Sequence, residues 1–399
     1  MNILVINCGS TTVKFQLMDM KEDVVIAKGR CDMIGYDTSN IRYNNVRDNY
    51  KHEIAVAMPT HKEAMEVLIA DLTHKDHGVI ENLDGITAVG HRVAHGGDIF
   101  KKATVVDVKV KEEIRELGKI APLHNPGSLM GIEAIEAIAP NLKNVVVCDT
   151  AFHQTIPDYN YTYAINPKYQ EKYKIRRYGF HGTSYKYVVD RLATLMNKKL
   201  EDVNAVICHI GGGASVCAIK NGMSYDTSMG FTPLEGMVME TRCGDIDAAA
   251  VTKIMAEENL SPKEMEMILN KESGRVGLCG IGDQRELCDA IDAGNERALL
   301  TEKIQANKTK KIIGSYMAEL NRVDAIVFTG GIGENDDYNR SMILADMDLL
   351  GIKIDEEINK GMRLGKEGTI SIPGTKIPVY VIPTDEELEI AIQTMEVVS

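Results

Sequence analysis

Residues 1–18, MNILVINCGSTTVKFQLM, contain the pattern that decides the fold. An apolar run ends in a turn rich in glycine, serine and threonine, and the next run alternates apolar with polar residues, which is typical of a β-hairpin. Residues 204–220, NAVICHIGGGASVCAIK, repeat this plan about half the chain later. Short apolar strands alternate with stretches of helical spacing elsewhere, so the sequence predicts an α/β protein made of two related halves.

Both turns are predicted to bind phosphate, because a tight turn of small residues presents backbone N–H groups to an anion with little obstruction. In the first turn, residues 7–14 (NCGSTTVK), Lys14 lies on the returning strand and can reach the same anion. One such turn alone is more often an ordinary hairpin turn. Its repetition favours a nucleoside triphosphate clamped in a cleft between two related domains. The P-loop and Rossmann glycine motifs do not occur in the chain.

The length of 399 residues exceeds one typical hydrophobic core and favours two or three domains. We predict an N-terminal domain over residues 1–150, joined by a C-terminal helix over 385–399, and a C-terminal domain over 151–384. Composition is ordinary for a soluble globular protein, with 44% apolar and 26% charged residues. The net charge of −13 disfavours non-specific binding to nucleic acid or to an anionic membrane.

The cysteines indicate a reducing compartment. The eight form no C-x-x-C pair and several lie inside apolar runs, which favours buried free thiols. The N-terminal stretch lacks the basic and long apolar regions of a signal peptide, and no apolar run approaches transmembrane length. The sequence therefore predicts a cytoplasmic enzyme.

Several polar residues lie beside glycines or at strand ends, where substrate charges are often bound. Arginine grips carboxylate or phosphate bidentately, and Arg92, Arg242 and Arg285 are candidates, although any one alone is more often part of a surface ion pair. Asp149 ends an apolar run and suits Mg²⁺ or a reacting group, with a turn aspartate as the alternative. The stretch 329–335, TGGIGEN, follows another apolar strand, where open α/β sheets bind ligands or simply turn into a helix.

Histidines give weaker signals. His91 and His95 are four residues apart, but the surrounding glycines argue against a helix that would align them as metal ligands. His181, taken alone, is more often a buried core histidine. Glu386 lies in residues 384–387 (TDEE), a stretch that is also typical of a helix capping box.

Together, ten stretches resemble the acetate kinase family of carboxylate kinases in order and nearly end to end. They are NCGSTTVKFQL (7–17), GHRVAHGG (90–97), APLHNPGS (121–128), DTAFHQTIP (149–157), RRYGFHGTS (176–184), HIGGGAS (209–215), DTSMGFTPLEG (226–236), TRCGDID (241–247), FTGGIGEN (328–335) and IPTDEEL (382–388). The resemblance implies a duplicated α/β two-domain fold of the actin-like, sugar-kinase-like (RNase H-like) type, with an active-site cleft between the domains. It also implies reversible phosphorylation of acetate by ATP with Mg²⁺ (Mn²⁺ as the alternative), and a homodimer built through the C-terminal domain.

The same resemblance implies residue roles. The implied catalytic residues are Arg92, Asp149, His181 and Arg242, with Arg92 on the substrate carboxylate and His181 and Arg242 on the transferring phosphoryl group. The implied nucleotide-binding residues are Lys14, His209, Ile210, Gly211, Gly212, Gly213, Asp283, Gln284, Arg285, Gly331, Ile332, Gly333, Glu334 and Asn335. The implied acyl pocket comprises Ala94, Leu123, Phe180 and Pro233 beside Arg92, and the implied metal residues are Asn7 and Glu386.

The sequence departs from the family pattern at several positions. Gly212 stands where acetate kinases usually carry asparagine, and a triple-glycine turn is more similar to butyrate kinases. Ala94 stands where valine is common and leaves room for about one more methylene, so propionate is a competing substrate. Glu240 and Cys243 replace small residues beside Arg242, and the carboxylate of Glu240 is a candidate ion-pair partner of that arginine.

A carboxylate is already a nucleophile, so the chemical difficulty is repulsion between two anions. We therefore expect direct in-line transfer helped by positioning and charge neutralisation, with Asp149 arranging Mg²⁺ or substrate. Two alternatives remain. One is a propionate or butyrate kinase of the same fold. The other is an actin-like ATP-binding module without kinase chemistry, in which Arg92 and His181 would not act on the γ-phosphate.

Overall fold

The computed structural model describes residues 1–399. Its strands are β1 Asn2–Cys8, β2 Val13–Asp19, β3 Val24–Asp32, β4 Asn40–Asn45, β5 Tyr50–Ala55, β6 Ala88–Val93, β7 Thr104–Val105, β8 Lys143–Cys148, β9 Ala205–Ile210, β10 Ala214–Lys220, β11 Met223–Thr227, β12 Ala325–Thr329, β13 Gly368–Thr369 and β14 Val379–Val381. Its helices are α1 His61–Leu72, α2 Val108–Leu117, α3 Asn125–Ile138, α4 Asp158–Tyr161, α5 Pro167–Tyr173, α6 Gly182–Leu195, α7 Ala248–Glu257, α8 Pro262–Lys271, α9 Gly274–Cys279, α10 Gln284–Asp292, α11 Glu296–Leu320, α12 Gly330–Asn335, α13 Asp337–Leu344, α14 Glu356–Gly361 and α15 Glu386–Val398. No helix is both long enough and apolar enough to cross a membrane.

The chain forms two compact units. Unit 1 comprises Met1–Phe152 with Asp385–Ser399, and unit 2 comprises His153–Thr384.

Unit 1 is built on an eight-stranded sheet in the order β5-β4-β3-β2-β1-β6-β8-β7. Strand β1 pairs antiparallel with β2 and parallel with β6. Its side chains alternate between two cores, as a strand covered on both faces requires. Leu4 and Ile6 pack in a cluster with Met65 of α1, and Ile3 packs on the other face with Ile390 of α15.

Unit 2 is built on a six-stranded sheet in the order β11-β10-β9-β12-β14-β13. Every residue of β9 and of β12 is buried, so these central strands are continuous apolar runs rather than alternating ones. Val206 and Phe328 belong to a large core that includes Ile313 of α11 and Ile343 of α13. The amphipathic spacing of α11 thus serves to cover one face of this sheet.

The two sheets share one strand plan. In both, an antiparallel three-strand meander (β1-β2-β3 and β9-β10-β11) continues, beside its first strand, into two parallel strands (β6-β8 and β12-β14) and a short antiparallel edge strand (β7 and β13). This duplication confirms the predicted α/β fold of the actin-like, sugar-kinase-like type. Strands β4 and β5 extend only the sheet of unit 1.

Local structure agrees with the sequence patterns at most positions and corrects them at two. The helical spacing of apolar residues from His61 to Leu72 predicts helix α1 with its observed bounds. The pattern at Glu133–Ile138 predicts only the end of α3, which begins at Asn125. The predicted capping box is wrong, because Asp385 caps α15 through the backbone N–H of Leu388. The Thr384 backbone N–H donates instead to Glu334, 3.0 Å away in unit 2.

Candidate functional site

In unit 1, the candidate site lies at the carboxyl ends of the parallel strands. Arg92 is the fifth residue of β6, and Asp149 directly follows β8. The two side chains form a bidentate pair, with Arg92 Nε 3.0 Å from Asp149 Oδ1 and Nη2 2.7 Å from Oδ2. Glu386, the first residue of α15, lies 3.6 Å from the same Nη2. The structure thus brings together three of the predicted site residues.

Neighbouring carboxylates stabilise the charged form of Arg92. The negative charge of Asp149 raises the pKa of Arg92 further above its usual value, against the effect of burial, and Glu386 adds to the increase. The Asp149 side chain is only 3% exposed, so its charge needs this partner. Of the five N–H groups of a guanidinium, two donate to Asp149 and three remain for another anion.

The first glycine-rich turn is held from two sides. The Gly9 backbone N–H donates to Thr12 O at 2.8 Å and closes the turn. His61 Nε2, at the start of α1, lies 2.8 Å from Gly9 O and donates to it. A side chain at position 127 would come within 2.9 Å of the Gly9 backbone, so Gly127 lets α3 approach the turn closely. No pattern around His61 indicated this contact, which only the folded structure shows.

Asn7 and Lys14, the predicted metal and phosphate contacts, are opposite each other in the β1–β2 register. Lys14 is exposed on a polar sheet face that borders a cavity of about 570 Å³. Arg30 and Arg42, its neighbours in register on β3 and β4, line the same cavity. Arg30 pairs with Asp32, and Arg42 pairs with Asp32 and Glu53, so these carboxylates compensate the charges of the two arginines beside Lys14.

The predicted metal residues offer oxygen atoms only. Glu386 contributes a partly exposed carboxylate, with a side chain 20% exposed, and Asn7 contributes an amide oxygen. Burial and the neighbouring Glu386 raise the pKa of Glu387, which indicates concentrated negative charge at the start of α15. A donor set of carboxylate and amide oxygens fits Mg²⁺, which binds few protein ligands and keeps waters or phosphate oxygens.

In unit 2, the second glycine-rich turn is closed by Gly211 N–H donating to Gly213 O at 3.0 Å. His209 and Ile210, which precede it, are buried. Gly330, at φ +78°, begins α12 where a side chain would meet the Ile210 carbonyl at 2.9 Å. Glycine is therefore required at position 330, because both the backbone conformation and the space exclude a side chain.

The predicted phosphoryl contacts converge on this turn. A side chain at position 213 would lie 2.7 Å from Arg242 Nη2 and 3.4 Å from His181 Nε2. Arg242 is fixed through its other nitrogen, since Nη1 donates to Pro233 O at 2.7 Å. Burial lowers the pKa of Arg242 and the charge of Glu240 opposes that effect. A donor turn, a guanidinium and an imidazole thus surround one small space.

His181 is oriented by a chain of hydroxyl groups that the sequence analysis missed. It precedes α6 in a left-handed conformation with φ +58°, which costs a non-glycine residue about 1 kcal/mol. His181 Nδ1 lies 2.8 Å from Ser215 Oγ, and Ser215 Oγ lies 2.5 Å from the Tyr185 hydroxyl. Burial raises the pKa of Tyr185 well above its usual value, so this hydroxyl keeps the proton with which it can donate to Ser215.

This arrangement allows the Ser215 hydroxyl to donate to His181 Nδ1, and in that tautomer the ring carries its N–H on Nε2, the atom nearest Gly213. His209 stacks on His181 with ring centroids 4.2 Å apart. Its Nδ1 lies 2.8 Å from Ser184 Oγ, which is itself 2.7 Å from Thr384 Oγ1. The sequence pattern predicted that Ser215 lies on the strand after the turn. It did not indicate that Tyr185 contacts Ser215.

Gly212 and Glu240, two departures from the family pattern, are neighbours. Glu240 N–H donates to Gly212 O at 3.1 Å, and a side chain at position 212 would lie 2.8 Å from Glu240 Oε2. The Glu240 carboxylate therefore occupies the space that an asparagine at position 212 would need. The ion pair expected between Glu240 and Arg242 does not form within 4 Å, although Glu240 acts on Arg242 through its charge.

The two remaining nucleotide-binding stretches are helix starts. Asp283 caps α10 and pairs with Arg285, whose side chain is 91% exposed. Gln284 points inward to Glu302 and Asp336, 3.0 Å from each. The turn predicted at residues 330–335 is the short helix α12, in which the position of a Gly331 side chain is open for 4 Å.

Within α12, the side chains of Glu334 and Asn335 accept hydrogen bonds from the backbone. Glu334 Oε1 accepts from the backbone N–H of Gly330 at 2.9 Å, and Asn335 Oδ1 accepts from Leu364 N–H at 2.9 Å. Ile332 and Gly333, which precede them in α12, are buried.

The predicted acyl-pocket residues are divided between the units. In unit 1, Ala94 is half-buried and Leu123 is 49% exposed. In unit 2, Phe180 is buried beside His181, and Pro233 holds Arg242 through its carbonyl group. His91, which had suggested a metal pair with His95, has its Nε2 2.8 Å from Asn144 Oδ1 inside unit 1.

Comparison with known proteins gives matches over the whole chain. A family model described as the acetokinase family matches residues 2–392. The acetate kinase of Methanosarcina barkeri is 50% identical over 399 residues, covering 100% of this chain and 97% of that protein. The acetate kinase of Dictyoglomus turgidum is 48% identical, covering 100% of this chain and 98% of that protein.

Solved structures agree with this result. The crystal structure of Porphyromonas gingivalis acetate kinase matches with a TM-score of 0.95 and 41% identity, covering 100% of both chains. A propionate kinase from Francisella tularensis matches with a TM-score of 0.93 and 37% identity, covering 99% of both chains.

Proposed function

The chain belongs to the acetokinase family, and we propose that it transfers the γ-phosphoryl group of ATP reversibly to acetate, giving acetyl phosphate and ADP. The observation that carries this proposal is the convergence of Arg242 Nη2 and His181 Nε2 on Gly213 in an anion-binding turn. The relatives named acetate kinase support acetate as the acceptor.

Arg92 binds the acceptor. The substrate carboxylate accepts from the N–H groups of Arg92 that Asp149 leaves unused, while Asp149 fixes the plane of the guanidinium. The substrate oxygen is thereby presented in one orientation, and its negative charge is compensated. Because both reactants are already bound in one orientation, the transfer step no longer includes most of the entropic cost of bringing them together.

Unit 2 residues stabilise the transferring group. The N–H groups of the Gly211–Gly213 turn, Arg242 and the Nε2–H of His181 donate to its oxygens as one carboxylate oxygen bonds to the γ-phosphorus and the bond to the ADP oxygen breaks. No residue of the chain needs to form a phosphorylated intermediate. The transfer is therefore direct and in line, with inversion at phosphorus.

Asn7 and Glu386 are the residues that would hold Mg²⁺, or Mn²⁺ in its place. When bound, the ion neutralises charge on the nucleotide phosphates. Lys14 contributes a further positive charge from the exposed face of the sheet.

Propionate kinase activity is the second candidate. Ala94 supports it, because this small side chain leaves room for about one more methylene at the substrate carboxylate contact. A methylene changes discrimination by about 1–3 kcal/mol, or roughly 10–200-fold. The similarity to a propionate kinase is consistent with this candidate.

We further propose a homodimer formed through unit 2. Helix α7 is rich in alanine, valine, isoleucine and methionine, yet none of its residues is buried, and a second copy would cover it. The eight cysteines are free and five of them are buried, which supports a cytoplasmic, reducing location.

The substrate panel tests the proposal. The value of kcat/KM is measured for acetate, propionate and butyrate, with the acyl phosphate trapped as its hydroxamate. We expect acetate to be preferred. A propionate preference above about tenfold would assign the second candidate, and ATP binding without any acyl phosphate would leave only a non-kinase ATP-binding module. Light scattering of the purified protein measures the mass of the proposed dimer.

A further inference from the structure

A cluster of three metal-ligand side chains lies in unit 1 on elements that the proposed reaction does not use. It comprises His52 on the edge strand β5, Asp71 near the end of α1 and His77 in the loop that follows. Their ligand atoms all lie within 4.8 Å of one another. His52 Nε2 is 3.0 Å from Asp71 Oδ2, and His77 Nε2 is 3.2 Å from Asp71 Oδ1.

From this geometry we propose that His52, Asp71 and His77 form a binding site for a divalent transition-metal ion such as Zn²⁺. Two imidazoles and one carboxylate are a ligand set that suits zinc, nickel or cobalt rather than magnesium. Two atoms that each lie about 2.1 Å from a tetrahedral ion are about 3.4 Å apart. The contacts of 3.0 and 3.2 Å go to different oxygens of Asp71, and the ligand atoms lie up to 4.8 Å apart, so the side chains must move closer by about 1 Å to surround the ion.

Charge compensation favours a cation here. Asp71 is 8% exposed, and its two ion-pair contacts are with His52 and His77, which are charged only if protonated. No lysine or arginine forms an ion pair with it. A buried carboxylate without a permanent cationic partner is costly, and a bound metal ion removes that cost.

The rings are held in place before any ion binds. His77 stacks between Tyr50, with centroids 4.8 Å apart, and His74, with centroids 3.8 Å apart. The His77 carbonyl accepts from Asn45 Nδ2 at 3.0 Å. The stacked rings and the anchored backbone restrict the positions that the His77 ring can take. Three protein ligands leave a fourth position for water at this partly exposed site.

Binding requires the neutral tautomer with the proton on Nδ1 of each histidine, so that Nε2 donates its lone pair to the metal. The ion would tie the edge strand β5 to the end of α1. It would stabilise that corner of unit 1, since any ligand that binds only the folded state raises its stability.

Calorimetry and spectroscopy of the full-length protein test the site. The protein is stripped with a chelator and titrated with Zn²⁺, and separately with Co²⁺ followed by visible absorption, without nucleotide or Mg²⁺. We compare the wild type with His77→Gln and Asp71→Asn. His74→Gln is the matched control, because His74 stacks on His77 but lies outside the ligand set.

We expect one equivalent of Zn²⁺ to bind the wild type and His74→Gln, with a tetrahedral Co²⁺ spectrum and a rise in Tm of about 3 °C. His77→Gln and Asp71→Asn should weaken binding at least about tenfold. All four proteins can also bind Zn²⁺ near Glu386. The proposed site is therefore measured as the Zn²⁺ binding that His77→Gln and Asp71→Asn lose relative to the wild type. Equal affinity in all four proteins, or no saturable binding in the wild type, would overturn the proposal. Neither result bears on the kinase reaction.

Discussion

Arg92 and Asp149 form a bidentate ion pair across the carboxyl ends of two parallel strands, with nitrogen–oxygen distances of 3.0 and 2.7 Å. The pair explains why an acidic residue belongs in a site for anionic substrates. Asp149 fixes the orientation of the planar, charged guanidinium, and three of the guanidinium N–H groups stay available. In this account Asp149 is a positioning residue for Arg92.

Asp149→Asn should lower kcat/KM for acetate about 100-fold, because the neutral amide holds Arg92 less firmly. In an Arg92→Ala background the same change should cost much less, because the two residues act as a unit. The measurement is a double-mutant cycle in kcat/KM, with the Kd for ATP as the control. Losses that simply multiply would show that Asp149 acts on something other than Arg92.

Gly213→Ala and Gly212→Ala form a matched pair. A methyl group at position 213 displaces the tip of Arg242, whereas one at position 212 displaces the carboxylate of Glu240. Each displaced atom ends a flexible side chain, so Tm should change little in either variant. We expect kcat to fall about 100-fold for Gly213→Ala and less than about tenfold for Gly212→Ala. A larger fall in kcat for Gly212→Ala than for Gly213→Ala would show that Arg242 does not contact the transferring phosphoryl group.

Gly212→Asn extends this comparison. The asparagine that is usual in acetate kinases should raise the KM for ATP here, because Glu240 occupies its space. The double variant with Glu240→Ala should recover most of the loss. Steady-state kinetics of the two single variants and the double variant measure the coupling. Full activity of Gly212→Asn alone would show that the two positions are independent.

Ser215→Ala should lower kcat about tenfold with little change in either KM. The change removes the hydroxyl that donates to His181 Nδ1, so the ring no longer keeps its proton on Nε2. Ser184→Ala is the control, because Ser184 is bonded to His209 instead. NMR of labelled histidine would report the tautomer directly. A His181 tautomer unchanged by Ser215→Ala would contradict the hydroxyl relay.

Buried His91 predicts an acid-dependent loss of stability. Burial lowers its pKa from 6.5 to about 4. The folded pKa lies below the unfolded value, so the unfolded chain takes up the proton first as pH falls. The stabilisation from neutral His91 is full above about pH 6.5 and is lost toward pH 4, with an upper limit of about 3 kcal/mol.

The Tm of His91→Gln should therefore lie below that of the wild type at pH 7.5, and the gap should narrow toward pH 4.5. His74→Gln, at an exposed position, should show no such trend. A gap that stays constant with pH would mean that His91 is protonated in both states or in neither.

The sequence predicted the fold well where the predicted phosphate-binding turns also have a clear local hairpin pattern. Hairpins β1–β2 and β9–β10 follow from their apolar alternation and small turn residues, and their repetition gave the duplicated plan. The start of α3 was missed, because Asn125-Pro126-Gly127-Ser128 is typical of a turn and becomes helical only where α3 packs beside the Gly9 turn.

Partners distant in the chain could not be predicted from local pattern. The Ser215–Tyr185 contact and the His61–Gly9 contact join segments 30 and 52 residues apart, and only the folded sheet brings them together. The capping box failed for the same reason, since Thr384 is recruited by Glu334 and Ser184. The candidate residues could therefore be identified from the sequence, whereas the contacts that hold them in position could not.

The most direct test of the central claim is ³¹P NMR of the product formed from ATP, Mg²⁺ and acetate labelled with ¹⁸O in both carboxyl oxygens. Direct transfer should give one acetyl phosphate for each ADP formed, with its phosphorus resonance shifted by a single ¹⁸O, because a carboxylate oxygen bonds directly to the γ-phosphorus. Release of inorganic phosphate from bound ATP without a labelled acyl phosphate would contradict it.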